Sequence, residues 1–404
     1  MVEPASPNTA AADSEQPGPI YIFAGGGTGG HLQPGLAVLA ELQAVQPGAR
    51  VVFACSDRPI DRRVLDDQPC GIVPQPARPL PRRPREAWGF LRAWRASRRL
   101  ARRLLRDLRP AAVLGLGGFA AGPVVCQAAR RGVPVGLLNP DAVPGKANRH
   151  LARRADAIFT QFEATAEYFR PSDRAKVRGV GCPVRPGLAD GDRGEAMAAF
   201  GLDPGRKTLL VLGGSQGARS INQAVAALLA GGRLQSFVDA WQVLHIVGPG
   251  QEPAGEQSSI VNRQSSTAGA SAASAAGPPV TRLKYCRRMV LAYAAADLAV
   301  CRGGAVTVAE LAATGTPAVV LPYPYHADRQ QRLNAEPLEK AGGAVILDDR
   351  IDPAANAAAL AAVLPALLAD VDRLAEVAAA ARAPARANAA AEVARWLVEA
   401  AQRR

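Results

Sequence analysis

A pattern of strand, glycine loop and helix occurs twice in each half of this 404-residue chain, and that repetition limits the fold more than any other feature. In the first half "IYIFA" (20–24) reads as a strand, Gly25 to Gly30 as a loop and Pro34 to Ala44 as a helix. In the second half "TLLVL" (208–212), "GGSQGAR" (213–219) and Ile221 to Leu229 repeat the plan. A further Gly-Gly pattern follows in each half, within "AAVLGLGGFAAGPVVCQAARRGVPVGLLN" from Ala111 and "LAVCRGGAVTVAELAATGTPAVVLP" from Leu298. The two glycine sites lie 92 residues apart in the first half (Gly25 to Gly117) and 90 in the second (Gly213 to Gly303). Strands that alternate with helices build parallel sheets covered on both faces. The expected fold is therefore α/β, with two Rossmann-like domains facing each other across a cleft. Residues 1–18 read as a disordered tail and 19–184 as the first domain. Residues 185–385 read as the second, joined near the Pro-, Gly- and acid-rich "GCPVRPGLADGD" (181–192). Within it, 248–279 is Ser-, Ala- and Gly-rich and reads as a flexible surface insertion. The last segment, 386–404, is amphipathic and is expected to pack back on the first domain.

Charge narrows the class of partner. The net charge is +13, yet twelve arginines against two acids, Glu86 and Asp107, fall between Arg78 and Arg109. Within 85–109, Phe90, Leu91, Trp94, Ala101, Leu104, Leu105 and Leu108 share one helical side. Arg92, Arg95, Arg99, Arg102, Arg103 and Arg106 share the other, with Trp88 among them. An aromatic among arginines suits an anionic membrane surface, with Trp88, Arg92, Arg95 and Arg99 as the contact. A plain solvated basic face is the alternative. No base-reading or zinc module accompanies the arginines, so nucleic acid is not expected. The uncharged stretch Ala111 to Ala129 approaches the length of a membrane span, but its glycines and Pro123 fit strand, loop and helix better. Residues 1–19 lack the basic start and apolar core of a signal peptide. The six cysteines form no C-x-x-C and sit in or beside apolar stretches, which suits a reducing compartment.

Gly25, Gly27 and Gly30 satisfy G-x-G-x-x-G, the dinucleotide fingerprint. A nicotinamide site also wants an acid about 20 positions on, and Asp57 comes 27 after Gly30. His31 brings a titratable ring that such a loop does not need; it is a candidate general base, or else only a helix cap. The helix opening after Gly303 and Gly304 offers free N–H groups and a dipole suited to a diphosphate. Glu310, two turns in, could accept both ribose hydroxyls. Gln330 and Asn334 are spaced for one helix face, with Gln331 beside them, a set of amides suited to a sugar. Ser215 sits where it can meet phosphate or cap a helix. Asp190-Gly-Asp192 spells D-x-D but lies in the interdomain loop and reads as a turn. With a helix dipole holding the diphosphate, no metal and no cofactor are expected.

"GGTGGHLQPG" (26–35), "GLGGFAAGP" (115–123), "LGGSQGAR" (212–219), "CRGGAVTVAE" (301–310) and "DRQQRLNAEPLEKAGGA" (328–344) stand in order at fitting distances. Together they resemble the MurG family over roughly residues 19–247 and 280–400. The resemblance implies a GT-B fold and an inverting transfer of N-acetylglucosamine from UDP-GlcNAc to undecaprenyl-pyrophosphoryl-N-acetylmuramyl-pentapeptide. It also implies an enzyme held peripherally on the cytoplasmic face of the cell membrane, with the first domain on the acceptor and membrane side. Carried over by motif, Thr28, Gly29, Gly30 and His31 face the diphosphate and acceptor, and Arg185 and Ser215 bind the donor. Ala305, Val306, Thr307, Val308, Ala309 and Glu310 hold diphosphate and ribose. Gln330, Gln331 and Asn334 bind the sugar, and Cys286 and Met289 lie at the uracil. Where the family has His-Glu-Gln-Asn, this chain has "LNPD" (138–141), so Asp141 replaces an Asn that contacts the sugar. Cys182 replaces an Asn, Gly303 a Ser and Cys286 an Ile. His31 or Asp141 is expected to take the acceptor's proton. A different GT-B enzyme, such as a lipid or natural-product glycosyltransferase or a sugar-nucleotide epimerase, and a non-catalytic nucleotide-sugar scaffold remain the other readings.

Overall fold

A computed structural model describes residues 18–27, 29–81, 83–214, 217–251 and 278–403. The N-terminal tail, Thr28, Ser215 and nearly all of the 248–279 insertion lie outside the described residues. The first half opens with β1 (Ile20–Gly25), α1 (Gly29–Val45), β2 (Arg50–Ser56), α2 (Pro59–Leu65) and β3 (Gly71–Gln75). The long basic helix α3 (Ala87–Leu108) then leads to β4 (Ala112–Gly117), α4 (Ala121–Ala129) and β5 (Val135–Asn139). The half closes with α5 (Lys146–Leu151), β6 (Ala157–Thr160), α6 (Pro171–Arg174) and β7 (Val177–Gly179). All seven strands are parallel, in the order β3-β2-β1-β4-β5-β6-β7. β1, β4 and β5 are apolar without alternation because helices cover both of their faces.

The second half runs α7 (Arg193–Phe200), β8 (Lys207–Leu212), α8 (Arg219–Ala230), β9 (Trp241–Ile246) and β10 (Val280–Leu283). It continues with α9 (Met289–Ala295), β11 (Leu298–Cys301), α10 (Ala305–Thr314), β12 (Ala318–Val320), α11 (Gln330–Lys340) and β13 (Ala344–Ile346). Its six parallel strands are ordered β10-β9-β8-β11-β12-β13, and α12 (Pro353–Ala369) and α13 (Val371–Arg382) follow. Strand order reverses between β1 and β4 in one sheet and between β8 and β11 in the other. Loops leaving such a switch point diverge and open a crevice at the carboxyl ends of the strands. Both glycine pairs of each half therefore arrive at the same place.

Two details depart from the sequence reading. α1 begins at Gly29 rather than near Pro34, so Gly29 and Gly30 form its first turn and Pro34 lies inside it. The connection from β1 is thus only three residues long, with Gly26 at φ 145° and Gly27 at φ 89°, a backbone that favours glycine. On α3 the expected apolar side is incomplete, since Leu91 is 41% exposed while Ala93 and Ser97 are buried. Asp192 caps α7 by accepting from the Glu195 N–H at 2.6 Å, which places the D-x-D carboxylates in a turn and a helix cap. The stretch Ala111 to Ala129 is β4, its loop and α4, and among the described residues no single helix is long and apolar enough to cross a membrane. The last helix, α14 (Ala389–Gln402), leaves the second half and lies against α1, with Val393, Trp396 and Leu397 in the core under the first sheet.

Candidate active site

The two switch points face one cavity of ≈ 1780 Å³ whose walls come from both halves. In the first half its wall includes the first turn of α1, and the loop leading into that turn is held by a residue outside the motif. The buried Asp61 carboxylate accepts from the Gly27 N–H at 2.8 and 2.9 Å and from the Ser56 N–H and hydroxyl at 2.9 and 2.6 Å. Arg58 donates to the Gly27 carbonyl at 3.2 Å. Asp57, the acid that a nicotinamide reading would need, is exposed. Asp61 instead serves the loop, because α2 turns its first-turn carboxylate back onto β1. Next to this loop the His31 ring lies against Gly117 and Gly118, where a Cβ on Gly117 would stand 3.1 Å from His31 Cδ2. The second glycine pair of the first half thus makes room for an imidazole. Burial lowers the His31 pKa below 6.5, with Asp141 and Asp61 pulling the other way. The ring is therefore neutral at pH 7 and able to accept a proton.

In the second half, Gly304 caps α10 and its carbonyl accepts from the Val308 N–H at 2.9 Å. The N–H groups of Ala305, Val306 and Thr307 precede the first intrahelical bond and open on the cleft. Glu310 follows on the same wall. It is buried, accepts from the Tyr293 hydroxyl at 3.0 Å and has Arg185 Nη2 3.8 Å from Oε1. Burial raises its pKa, opposed first by Arg185 and then by Tyr293. Among the described residues its Oε1 makes no hydrogen bond, so this carboxylate has acceptor capacity left for a ligand hydroxyl. Beneath the α10 entry, Arg302 donates to Asp349 Oδ2 at 2.7 Å, to the Ser220 hydroxyl at 2.7 Å and to the Leu321 carbonyl at 2.9 Å. That buried network ties three loops under the anion site and neutralises the arginine.

Three contacts join the walls. The Asn334 carboxamide accepts from the Ala142 N–H at 2.8 Å and donates to Asp141 Oδ1 and to the Gly303 carbonyl, each at 3.1 Å. Arg185 reaches from Glu310 to Gln33 on α1, donating through Nε at 3.2 Å. Further out, Arg287 pairs with Asp67. Cys182 is buried in the same crossing, and burial, then the Glu310 and Asp141 carboxylates, push its thiol well above the ordinary value.

Of the residues singled out from sequence, Gly29, Gly30, His31, Asp141 and Arg185 line one cavity. Cys286, Met289, Ala305, Val306, Thr307, Glu310, Gln330 and Gln331 line it too. Burial pushes the Cys286 thiol up to about 11 against its backbone hydrogen bond and against Arg185 and Arg288, so it meets the cavity as a neutral apolar group. Val308 and Ala309 are not on its wall, because the helical period turns them away, and Val308 enters the core. Asn334 does not share an open face with Gln330: it is fully buried and engaged with the opposite domain. Gln331 Oε1 accepts from the Tyr323 N–H at 2.8 Å. Thr28 and Ser215 lie outside the described residues. Trp88, Arg92, Arg95 and Arg99 are exposed on α3, outside the cavity. Sequence reasoning missed Asp61, Gln33, Tyr293 and the Arg302–Asp349 pair. Gln33 and Arg302 stand inside quoted motifs, but their partners are distant in sequence. For Asp61 the signal was an acid in the first turn after the second strand.

Two facing parallel sheets with glycine loops at both switch points define the GT-B fold, and the family models make the chain a glycosyltransferase. The Glycosyltransferase family 28 N-terminal domain matches residues 21–160 and the family 28 C-terminal domain matches 208–393. Similar curated proteins carry the name UDP-N-acetylglucosamine--N-acetylmuramyl-(pentapeptide) pyrophosphoryl-undecaprenol N-acetylglucosamine transferase. One from Streptomyces avermitilis is 37% identical over 335 residues, 81% of this chain and 84% of that protein. One from Bifidobacterium longum is 33% identical over 401 residues, 95% and 98%. The crystal structure of Acinetobacter baumannii MurG superposes with a TM-score of 0.65 at 26% identity, covering 95% of this chain and all of the other. The chain belongs to the MurG family.

Proposed function

We infer that this protein transfers N-acetylglucosamine from UDP-GlcNAc to the muramyl sugar of undecaprenyl-pyrophosphoryl-N-acetylmuramyl-pentapeptide, the step from lipid I to lipid II in peptidoglycan synthesis. The observation that carries it is 33% identity over 95% of the chain to a protein of that name, in a chain whose two switch points open on one cleft. The acceptor hydroxyl attacks C1 of GlcNAc from the face opposite UDP. The bond from C1 to the diphosphate oxygen breaks, and the anomeric centre inverts. The N–H groups of Ala305 to Thr307 receive the charge that develops on the departing diphosphate. Glu310 accepts the ribose hydroxyls, and Gln330 and Gln331 present amides to the sugar. His31 takes the hydroxyl proton, with Asp141 close enough to stabilise the imidazolium that forms. The test is transfer to a short-chain acceptor, read by product mass, with His31→Ala and Asp141→Ala beside the wild type. Full turnover by both variants would overturn the base assignment. No GlcNAc-bearing product from the wild type would overturn the activity.

The same reading puts the protein on the cytoplasmic face of the membrane. Support comes from α3, where Trp88 is 73% exposed beside Leu91 and the exposed Arg92, Arg95 and Arg99. Trp88→Ser and Arg92→Glu are expected to lower co-sedimentation with phosphatidylglycerol vesicles. Unchanged co-sedimentation would remove α3 from that role.

A further inference from the structure

The acceptor that this reading requires carries a diphosphate between its sugar and its polyprenyl chain, and the first half has a built place for such a group. Three neighbouring segments present one pattern to the cleft: an apolar residue, then an arginine one helical turn later. They are Trp94 and Arg98 on α3, Cys126 on α4 with the exposed Arg130 just past its end, and Leu151 on α5 with Arg154 in the turn that follows. The helices α3 and α4 run in the same direction. The Trp94 ring lies 3.2 Å from where a Gly122 Cβ would stand, and farther along Arg131 donates to the Arg102 carbonyl at 2.9 Å. Leu151 packs in one core with α4. At that register Arg98 stands level with Cys126, so arginines and apolar residues interleave along this wall of the cavity.

Among the described residues these arginines have no partner. Arg98 Nε and Arg154 Nη1 are buried without a hydrogen bond, and among the described residues none of Arg98, Arg130 and Arg154 pairs with a carboxylate. The first half contributes one acid to the cleft wall, Asp141, at the His31 end. Buried guanidinium atoms without partners are costly, and a bound anion satisfies them with charge-assisted, bidentate bonds. Burial, then Arg153, Arg154 and Arg170, hold the His150 ring below its ordinary pKa, so guanidinium groups carry the charge here at neutral pH.

We propose that Arg98, Arg130 and Arg154 bind the diphosphate of the acceptor, while Trp94, Cys126 and Leu151 receive the first units of its prenyl chain. Charge and polarity choose this occupant: a dianion joined to a hydrocarbon fits a wall on which arginines interleave with apolar side chains. A pentapeptide offers no such junction. The site is separate from the exposed Trp88, Arg92, Arg95 and Arg99 face of the same helix, and from the donor's diphosphate at the α10 entry. The assignment rests on the transfer reaction proposed above.

The test uses the full chain in detergent with UDP-GlcNAc and a short-chain prenyl-diphosphate muramyl-pentapeptide. Arg98→Ala/Arg154→Ala is expected to raise the acceptor KM by roughly tenfold or more, with the UDP-GlcNAc KM within about twofold. Arg98→Lys/Arg154→Lys is expected to fall between, because lysine keeps the charge and loses the planar fork; it also serves where the alanine pair does not fold. Geranyl diphosphate is expected to compete with the acceptor in the wild type and to lose at least that factor in the variants. An unchanged acceptor KM in both variants overturns the proposal. So does loss of phosphatidylglycerol-vesicle binding with the acceptor KM intact, which would assign the arginines to lipid headgroups. A wild type that binds geranyl diphosphate through these arginines, measured by calorimetry, yet transfers nothing would sink the reaction and leave the site standing.

Discussion

At the scale of single residues, Asn334 and Glu310 show how tertiary context changes a role. Asn334 is fully buried; two of its three hydrogen bonds connect α11 to the 139–142 loop of the other half, and the third holds the Gly303 carbonyl. Asp141 suits that post, since a carboxylate accepts from the Asn334 amide without an orientation to choose. Asn334→Ala is expected to weaken closure by about 2–3 kcal/mol, read as a fall in transfer rate of tenfold or more, while UDP binding stays within about twofold. Asn334→Asp should be worse at pH 7, where two carboxylates would face each other, and should recover in part as pH falls and one of them protonates. Glu310 makes the opposite bargain. Burial raises its pKa above 4.5, so the folded state is favoured below that value and loses the advantage as pH rises through the raised pKa. Thermal melts should therefore show Glu310→Gln gaining on the wild type as pH rises from about 4.5 to 8, at the cost of weaker UDP binding. A gap that stays constant with pH would remove burial as the cause.

Elements meet through positions that a local pattern does not reveal. A Cβ on Gly303 would stand 2.1 Å from the Gln331 carbonyl oxygen. The missing side chain lets the start of α11 close on the α10 entry, which brings Gln330 and Gln331 to the cleft wall. Gly303→Ser is expected to displace that turn and raise the UDP-GlcNAc KM more than it changes kcat. At the far end of the chain, α14 inserts Trp396 beside Phe159 with ring centroids 5.5 Å apart, and Gly136 in β5 leaves space for the indole. Trp396→Ala should cost about 3–5 kcal/mol in denaturant melts. The loss should fall on the first sheet, although the residue belongs to the last helix.

The whole molecule is two sandwiched sheets, each with a core on both faces. Between them the seam is polar, carried by Asn334, Arg185 and the Arg287–Asp67 pair. Polar interdomain seams permit relative motion, so opening and closing belong to this architecture. UDP at a hundred times its Kd should stabilise the protein by about 2.7 kcal/mol. Calorimetry should place that gain on the transition of the second sheet, where the α10 entry and Glu310 lie. An equal shift of both transitions would mean that the halves unfold as one.

The repetition of strand, glycine loop and helix, with matching spacings, determined the α/β class and the two facing sheets, because apolar runs and glycine turns are local properties of a chain. The ordered motifs likewise carried the family. Individual cleft residues were legible where a motif ends a strand or starts a helix, as with His31, Ala305 and Gln330. Tertiary structure alone decided the rest: that Asp61 rather than Asp57 serves the glycine loop, that Val308 turns inward, and that Asn334 and Asp141 hold each other. It also decided that Arg98, Arg130 and Arg154, from three separate segments, line one cavity. Periodicity assigns a residue to a face, but which groups meet across a cleft depends on how distant elements pack.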